Sequence, residues 1–230
     1  MYWGFFYFQS MNFNITEFPE LCFGTVYCIG RNYALHIEEM KSKRTKDPVV
    51  FIKPRSCLIR SGENILLPNT VGEVHHEAEL VLLIGKKASH INISEAASCI
   101  KAYAAGIDVT ARDLQSKAKK EGLPWALSKG FYTFAPVGNF VPFSGSISDL
   151  NNIRLSLSVN GKIKQDDNTS KMIFPVESLI SYISSTFTLY PGDLIFTGTP
   201  SGVGKISAGD SIRVSLENDE SVLEVNVVSE

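Results

Sequence analysis

The run EAELVLLI at 77–84 constrains the fold of this chain more than any other stretch. In an extended segment Ala78, Leu80 and Leu82 line one face, while Val81 and Leu83 line the other. A strand that is apolar on both faces must be covered on both, which puts it inside a layered sheet structure. Its two exceptions, Glu77 and Glu79, share a face, with Cα atoms about 6.6 Å apart. Buried carboxylates are costly unless they are paired or hold a metal, and two on one face can converge on a single cation. The spacing alone fits an edge-strand end with two solvated glutamates equally well.

Further strand patterns fall at 25–29, 49–52, 153–159 and 194–199, with two closing strands from Ser211 onward. In 153–159 the residues Ile153, Leu155, Leu157 and Val159 alternate with polar ones. Asn160-Gly161 follows at once, predicting a type I′ hairpin with a return strand from Lys162. Helical patterns are fewer. Ser94 can cap a helix to Ala105, stopped by Gly106; Thr110 can cap a second, boxed with Asp113 and ended by Gly122; Pro175 suits the first turn of a third. Strands predominate and βαβ alternation is poor, so the fold class is α+β and β-rich. The 230 residues suit one well-cored domain, and scattered Pro and Gly form no linker. The expected organisation is a single domain over 13–230 behind an aromatic leader, 1–12. That leader has no basic residue, as the first is Arg31, so it does not read as a secretory or organelle presequence; Met11 is a second candidate start.

Lys plus Arg is 22 and Asp plus Glu is 24, a net charge of −2 that offers nucleic acid or an anionic membrane no attraction. No apolar run approaches the roughly 20 residues that span a bilayer. Cys22, Cys28, Cys57 and Cys99 form no CxxC pair, which predicts a reducing, cytoplasmic setting. Three catalytic motifs are excluded. GTPSGVGK at 198–205 has five residues between Gly198 and Gly204 where a phosphate loop has four, and Ile206 stands where Ser or Thr would hold Mg²⁺. There is no GxSxG elbow. HHEAE at 75–79 is not a zinc-protease HExxH, because Leu80 takes the second histidine's place.

Other residues carry candidate chemistry. Asp108 sits in a short extended segment before the 110–122 helix. Arg112 falls in that helix's first turn, where the dipole favours an acid, so it needs either an anionic ligand or an acid such as Asp113. His36 and Glu39, three apart, share a helix face. A carboxylate on one imidazole nitrogen leaves the other basic, although a plain surface pair has the same spacing. Lys129, in the apolar LPWALSKGF, needs a counter-charge from a ligand or a structural acid.

Taken in order, RNYALHIEEM, VVFIKP, HHEAELVLLIG, YAAGIDVTARDLQ, KKEGLPWALSKGF, MIF and LYPGDLIFTGTPSGVG resemble the fumarylacetoacetate hydrolase family. The similarity is nearest to its small acylpyruvate hydrolases and oxaloacetate decarboxylases and covers about residues 25–228. The resemblance implies a mixed β-sandwich roll with a few short helices, usually a homodimer. It implies metal ligands at Glu77, Glu79 and Asp108, a lid dyad at His36 and Glu39, an active-site lysine at Lys129, and pocket contacts from Lys53, Arg112, Gln115 and Thr199. Larger members carry an N-terminal domain for which this chain has no room, and the aromatic leader has no counterpart. Three carboxylates are hard oxygen donors that suit Mg²⁺, Mn²⁺ or Ca²⁺. The expected reaction is hydrolytic C–C cleavage of a 2,4-dioxo acid such as fumarylpyruvate or acetylpyruvate, with the metal as Lewis acid on the pyruvate enolate. Oxaloacetate decarboxylation or tautomerisation, or isomerisation or hydration of a 2-oxo acid, could use the same site. A non-catalytic, metal-stabilised binding protein is the alternative from another class, favoured if His36 and Glu39 lie far from the metal site. The charged segment 31–46, with few apolar anchors, is expected to act as a lid.

Overall fold

The computed structural model describes residues 14–230, so the leader and Met11 lie outside the described residues. Strand Ala78–Ile84 is buried throughout and runs inside an eight-stranded mixed sheet. Antiparallel neighbours flank it, Leu194–Phe196 on one side and Ile100–Ile107 on the other. Val26–Gly30 and Val49–Lys53 continue the sheet outward beyond Leu194–Phe196, and Val49–Lys53 is its edge. A five-stranded sheet faces it, built on the hairpin Arg154–Val159 and Lys162–Asn168 and the closing strands Ser211–Leu216 and Ser221–Ser229. Asn160 and Gly161 both take positive φ, as a type I′ turn requires.

The two-faced pattern of 77–84 has its expected consequence. Leu80, Leu82 and Ile84 join a core shared with Leu155, Leu157, Val214 and Leu216 of the facing sheet. Val81 and Leu83 enter a second core on the opposite face, with Ala102, Ala104, Phe140 and Phe196. Glu79 therefore projects toward the second face, at the end of the strand where that core gives way to a cavity. The result is a strand-rich sandwich roll with few helices, as the resemblance implied.

Two helix expectations need correction. The 94–105 helix is a 3₁₀ helix, Ile93–Cys99, capped by a reciprocal Asn92–Glu95 box, and Ile100–Ile107 is a strand. Alanine's helical propensity is overridden because this strand lies against Ala78–Ile84 and must be narrow. A Cβ on Gly106 would come within 2.4 Å of Val81 Cγ2, so Gly106 is a packing residue and ends no helix. The second correction concerns Thr110. Ala111 takes the cap position of α2 (Arg112–Glu121), and the Thr110 hydroxyl turns inward to other partners. The end of α2 at left-handed Gly122 and the start of helix Val176–Ser184 after Pro175 are as predicted. Among the described residues no helix is long and apolar enough to cross a membrane.

Candidate active site

Glu77 lies between strands Val74–His76 and Ala78–Ile84, Glu79 lies within the second, and Asp108 follows Ile100–Ile107. Pairing of these strands brings the carboxylates together, helped by the Asp108 N–H donating to Glu77 O at 2.8 Å. All three are buried, with one oxygen of each within 4.8 Å of the others. Three cations face them. Lys129 Nζ donates to Glu77 (2.9 Å), to Asp108 and to Thr110 Oγ1 (2.7 Å). The Arg112 guanidinium donates to Glu77 and, at 2.7 Å, to Gln115 Oε1. Lys53 Nζ lies 2.7 Å from Asp108 Oδ1.

Burial favours the neutral form of every one of these groups, yet their shifts diverge. Glu77 is held well below the usual carboxylate range because Lys129 and Arg112 outweigh its desolvation. Lys129 is raised, Asp108 and Glu77 overcoming the burial that would lower it. Glu79 is pushed well above the carboxylate range by burial and by the negative charges of Asp108 and Glu77. It accepts a hydrogen bond from the Gly198 N–H at 2.7 Å, and no lysine or arginine pairs with it. Asp108 Oδ1, despite its ion-pair distance to Lys53, has no hydrogen-bond donor.

These residues fit a divalent cation. The donors are all hard oxygens, Asp108 Oδ1 is a buried acceptor left without a donor, and Glu79 lacks a counter-charge. Three carboxylates against three fixed cations balance to zero, so a bound M²⁺ leaves the site positive and receptive to an organic anion.

His36 and Glu39 share one face of α1 (Ala34–Glu39), with Nδ1 and Oε2 3.3 Å apart. His36 lines the same cavity as the three carboxylates, and its pKa is lowered, burial outweighing Glu77 and Glu39. Arg112, Gln115, Lys129 and Thr199 line that cavity too. Lys53 does not, which corrects its expected pocket role. It is fully buried behind Asp108, with its remaining bonds to Val109 O and Phe134 O. The lid expectation also needs amendment, since Tyr33, His36 and Ile37 anchor α1 in the body of the protein.

Several working residues carry no local signal. Buried Gln165 accepts from Ala78 N–H, sits 3.0 Å from His76 Nδ1, and donates to Thr199 Oγ1 at 2.8 Å. It steadies the entry to the Glu77–Glu79 strand and one wall of the cavity together. Asn32 donates to Phe174 O and Thr197 O, fastening the start of α1 to the loop that bears Gly198. That glycine loop holds carboxylates of its own chain: Gly198 N–H donates to Glu79, and Gly202 N–H to Glu39 at 3.1 Å. Only the inward phase of Gln165 in its strand could have marked it from sequence.

Comparisons with known proteins bear on the family. The family model described as "Fumarylacetoacetate (FAA) hydrolase C-terminal" matches residues 25–227. The mitochondrial oxaloacetate decarboxylase of Dictyostelium discoideum is 42% identical over 204 residues, 88% of this chain and 93% of that protein. The mitochondrial oxaloacetate tautomerase of Arabidopsis thaliana is 44% identical over 191 residues, 83% of this chain and 85% of that protein. Among solved structures, fumarylpyruvate hydrolase from Pseudomonas aeruginosa in complex with Mn²⁺ and pyruvate superposes with a TM-score of 0.83 at 35% identity, covering 91% of each chain. With its sandwich, its carboxylate triad and a match over nearly its whole described length, the chain belongs to the fumarylacetoacetate hydrolase family.

Proposed function

We propose that this protein is a divalent-metal-dependent hydrolase that cleaves the C–C bond of a 2,4-dioxo acid, an acylpyruvate. One observation carries the reading: a carboxylate-oriented imidazole and a buried triad of oxygen donors line one cavity. A binding protein without turnover has no use for the first beside the second. Glu77, Glu79 and Asp108 would hold the cation, Mg²⁺ or Mn²⁺. When bound, it supplies Lewis-acid polarisation of the 2-oxo acid's oxygens.

The remaining steps belong to the chain's own residues. Glu39 orients His36 through Nδ1, and burial keeps the ring neutral, so Nε2 takes a proton from water. The resulting hydroxide adds to the distal carbonyl carbon. The bond between that carbon and the methylene then breaks, giving a carboxylic acid. The electron pair passes to the pyruvate fragment as its enolate, which takes a proton at the methylene carbon and leaves as pyruvate. Arg112 and Gln115 offer donors to the anionic acid, Lys129 stabilises negative charge at the buried end, and Thr199 lines the same cavity.

A second reading has its own support, in the relatives named oxaloacetate decarboxylase and oxaloacetate tautomerase. Loss of CO₂ from oxaloacetate yields the same enolate, and tautomerisation needs only the proton steps. A homodimer belongs to the proposal as well. Edge strand Val49–Lys53 leaves Ile52 exposed near exposed Leu123, while Leu127 is 82% exposed, an apolar surface suited to a second copy. The cytoplasmic setting rests on the cysteines, all four of them free. Acylpyruvates, oxaloacetate and unsaturated 2-oxo acids assayed in parallel with Mg²⁺ and Mn²⁺ test the reaction. Pyruvate and carboxylic acid released in equal amounts from acylpyruvates support hydrolysis, whereas turnover of oxaloacetate alone overturns it in favour of the second reading.

A further inference from the structure

One face of α2 extends beyond the residues used above. Arg112, Gln115 and Lys119 follow at helical spacing, so they form a stripe, and all three line the cavity. Arg112 and Gln115 are buried at the carboxylate triad. Lys119 stands one turn further along, about 6 Å of helix rise beyond Gln115, and is half-exposed. Its ammonium lies 5.4 Å from the ring centroid of Trp125, and the Arg31 guanidinium lies 6.0 Å from the same ring. Arg31 and Trp125 also line the cavity.

Two cations share one indole, and among the described residues neither forms an ion pair with a carboxylate. Lys119 has Arg112, Arg31 and Lys129 as like-charged neighbours. The acid that opposes them, Glu77, is already taken by Arg112 and Lys129. Arg31 Nε is buried with no acceptor, and the Arg31 backbone holds a left-handed φ of 63°, a conformation costly for a side chain of this kind. Unpaired cations on a cavity wall repel one another and lose hydration, so an arrangement of this kind favours an anion between them. Consistent with that, burial and the neighbouring positive charges bring Lys119 down to about 8.

We propose that Arg31, Lys119 and Trp125 form a second anion subsite, which binds a carboxylate at the far end of the substrate and selects dicarboxylic 2-oxo acids over monocarboxylic ones. The inference rests on the 2-oxo-acid reading of the inner site. The first carboxylate belongs with Arg112 and the triad, and the stripe along α2 sets the distance to the second. Arg31 and Lys119 are specificity residues here, remote from the bond that breaks.

The test separates binding from turnover. The Mn²⁺-loaded protein is titrated calorimetrically with 2-oxoheptanedioate and with 2-oxoheptanoate. These acids differ only in a terminal carboxylate against a methyl, and they lack the second carbonyl that hydrolysis requires. The unmodified protein should favour the diacid by about tenfold or more, and K119Q and R31Q should each reduce that preference to about threefold or less, while K119R retains it. No diacid preference in the unmodified protein, or one that survives both K119Q and R31Q, overturns the subsite. Acylpyruvate hydrolysis is followed in parallel. A preference that behaves as expected in a protein that hydrolyses no acylpyruvate upholds the subsite and rejects the hydrolase reading.

Discussion

Lys129 has no spare donor: its ammonium is divided among Glu77, Asp108 and Thr110. Removing it strips positive charge from the proposed enolate site and leaves two buried carboxylates under-compensated. Lys129→Ala should therefore lower kcat/KM by about a hundredfold or more, and steady-state kinetics at saturating Mn²⁺ measures it. Without metal it should also destabilise the fold by about 3–5 kcal/mol, as loss of one partner of a buried ion pair does. Denaturant titration with and without Mn²⁺ should show that cost reduced by the metal. His36 sets a pH limb. Its pKa lies below the ordinary imidazole value of 6.5, chiefly because of burial, and a base must be unprotonated to work, so kcat/KM rises with pH along a limb whose midpoint lies below 6.5. A cation on the Glu77 side pushes in the same direction. A pH–rate profile whose acid limb lies above 6.5 contradicts this assignment. At this scale the sequence was legible where spacing mattered: Glu77 with Glu79, and His36 with Glu39. It was not legible where a side chain's direction depends on packing. Nothing in VVFIKP says that Lys53 turns inward behind Asp108, and nothing in KIKQDDN says that Gln165 bonds across to Ala78 and Thr199.

Strand Leu194–Phe196 is shorter than the 194–199 pattern predicts, and the reason lies in its contacts with the Glu79 strand. Thr197 bonds to Leu80 O, and at Gly198, with φ 98°, the chain turns so that its N–H reaches Glu79. A Cβ on Gly198 would lie 2.8 Å from Asn32 Cβ, whereas Gly209, with φ 94°, has nothing within 4 Å. Both Gly→Ala changes carry the left-handed penalty of about 1 kcal/mol, so their difference isolates the contact. Gly198→Ala should cost clearly more stability than Gly209→Ala, and it alone should weaken Mn²⁺ binding by displacing Glu79. Thermal melts and Mn²⁺ titration of the two variants check this. Equal behaviour would remove the loop from the site. The strand Ile100–Ile107 shows where element reading fails. Its run of small residues scores as helix locally, yet it packs tightly beside Ala78–Ile84, and that need is visible only once the neighbouring strand is known.

At the scale of the molecule, one two-faced strand explains the layout. Its covered faces demand a core on each side, and the only polar positions of that segment, Glu77 and Glu79, then fall where the second core opens into the cavity. The β-rich class and the hairpin at Asn160-Gly161 were legible because their signals are local. The pairing order was not, since parallel partners such as Val26–Gly30 with Leu194–Phe196 are far apart in the chain. The exposed apolar residues at Ile52, Leu123 and Leu127 predict self-association, so sedimentation should give twice the 25.4 kDa chain mass. Leu127→Asp should shift the protein toward the monomer, and a monomeric parent would reject the dimer. The central claim is that one divalent cation on Glu77, Glu79 and Asp108 drives C–C hydrolysis, and the most direct measurement is pyruvate release from acetylpyruvate during titration of metal-free protein with Mn²⁺. The rate should rise from near zero and level off at one Mn²⁺ per chain, with Glu79→Gln shifting or abolishing that titration. A full rate in the presence of chelator, or a Glu79→Gln titration identical to the parent's, would contradict it.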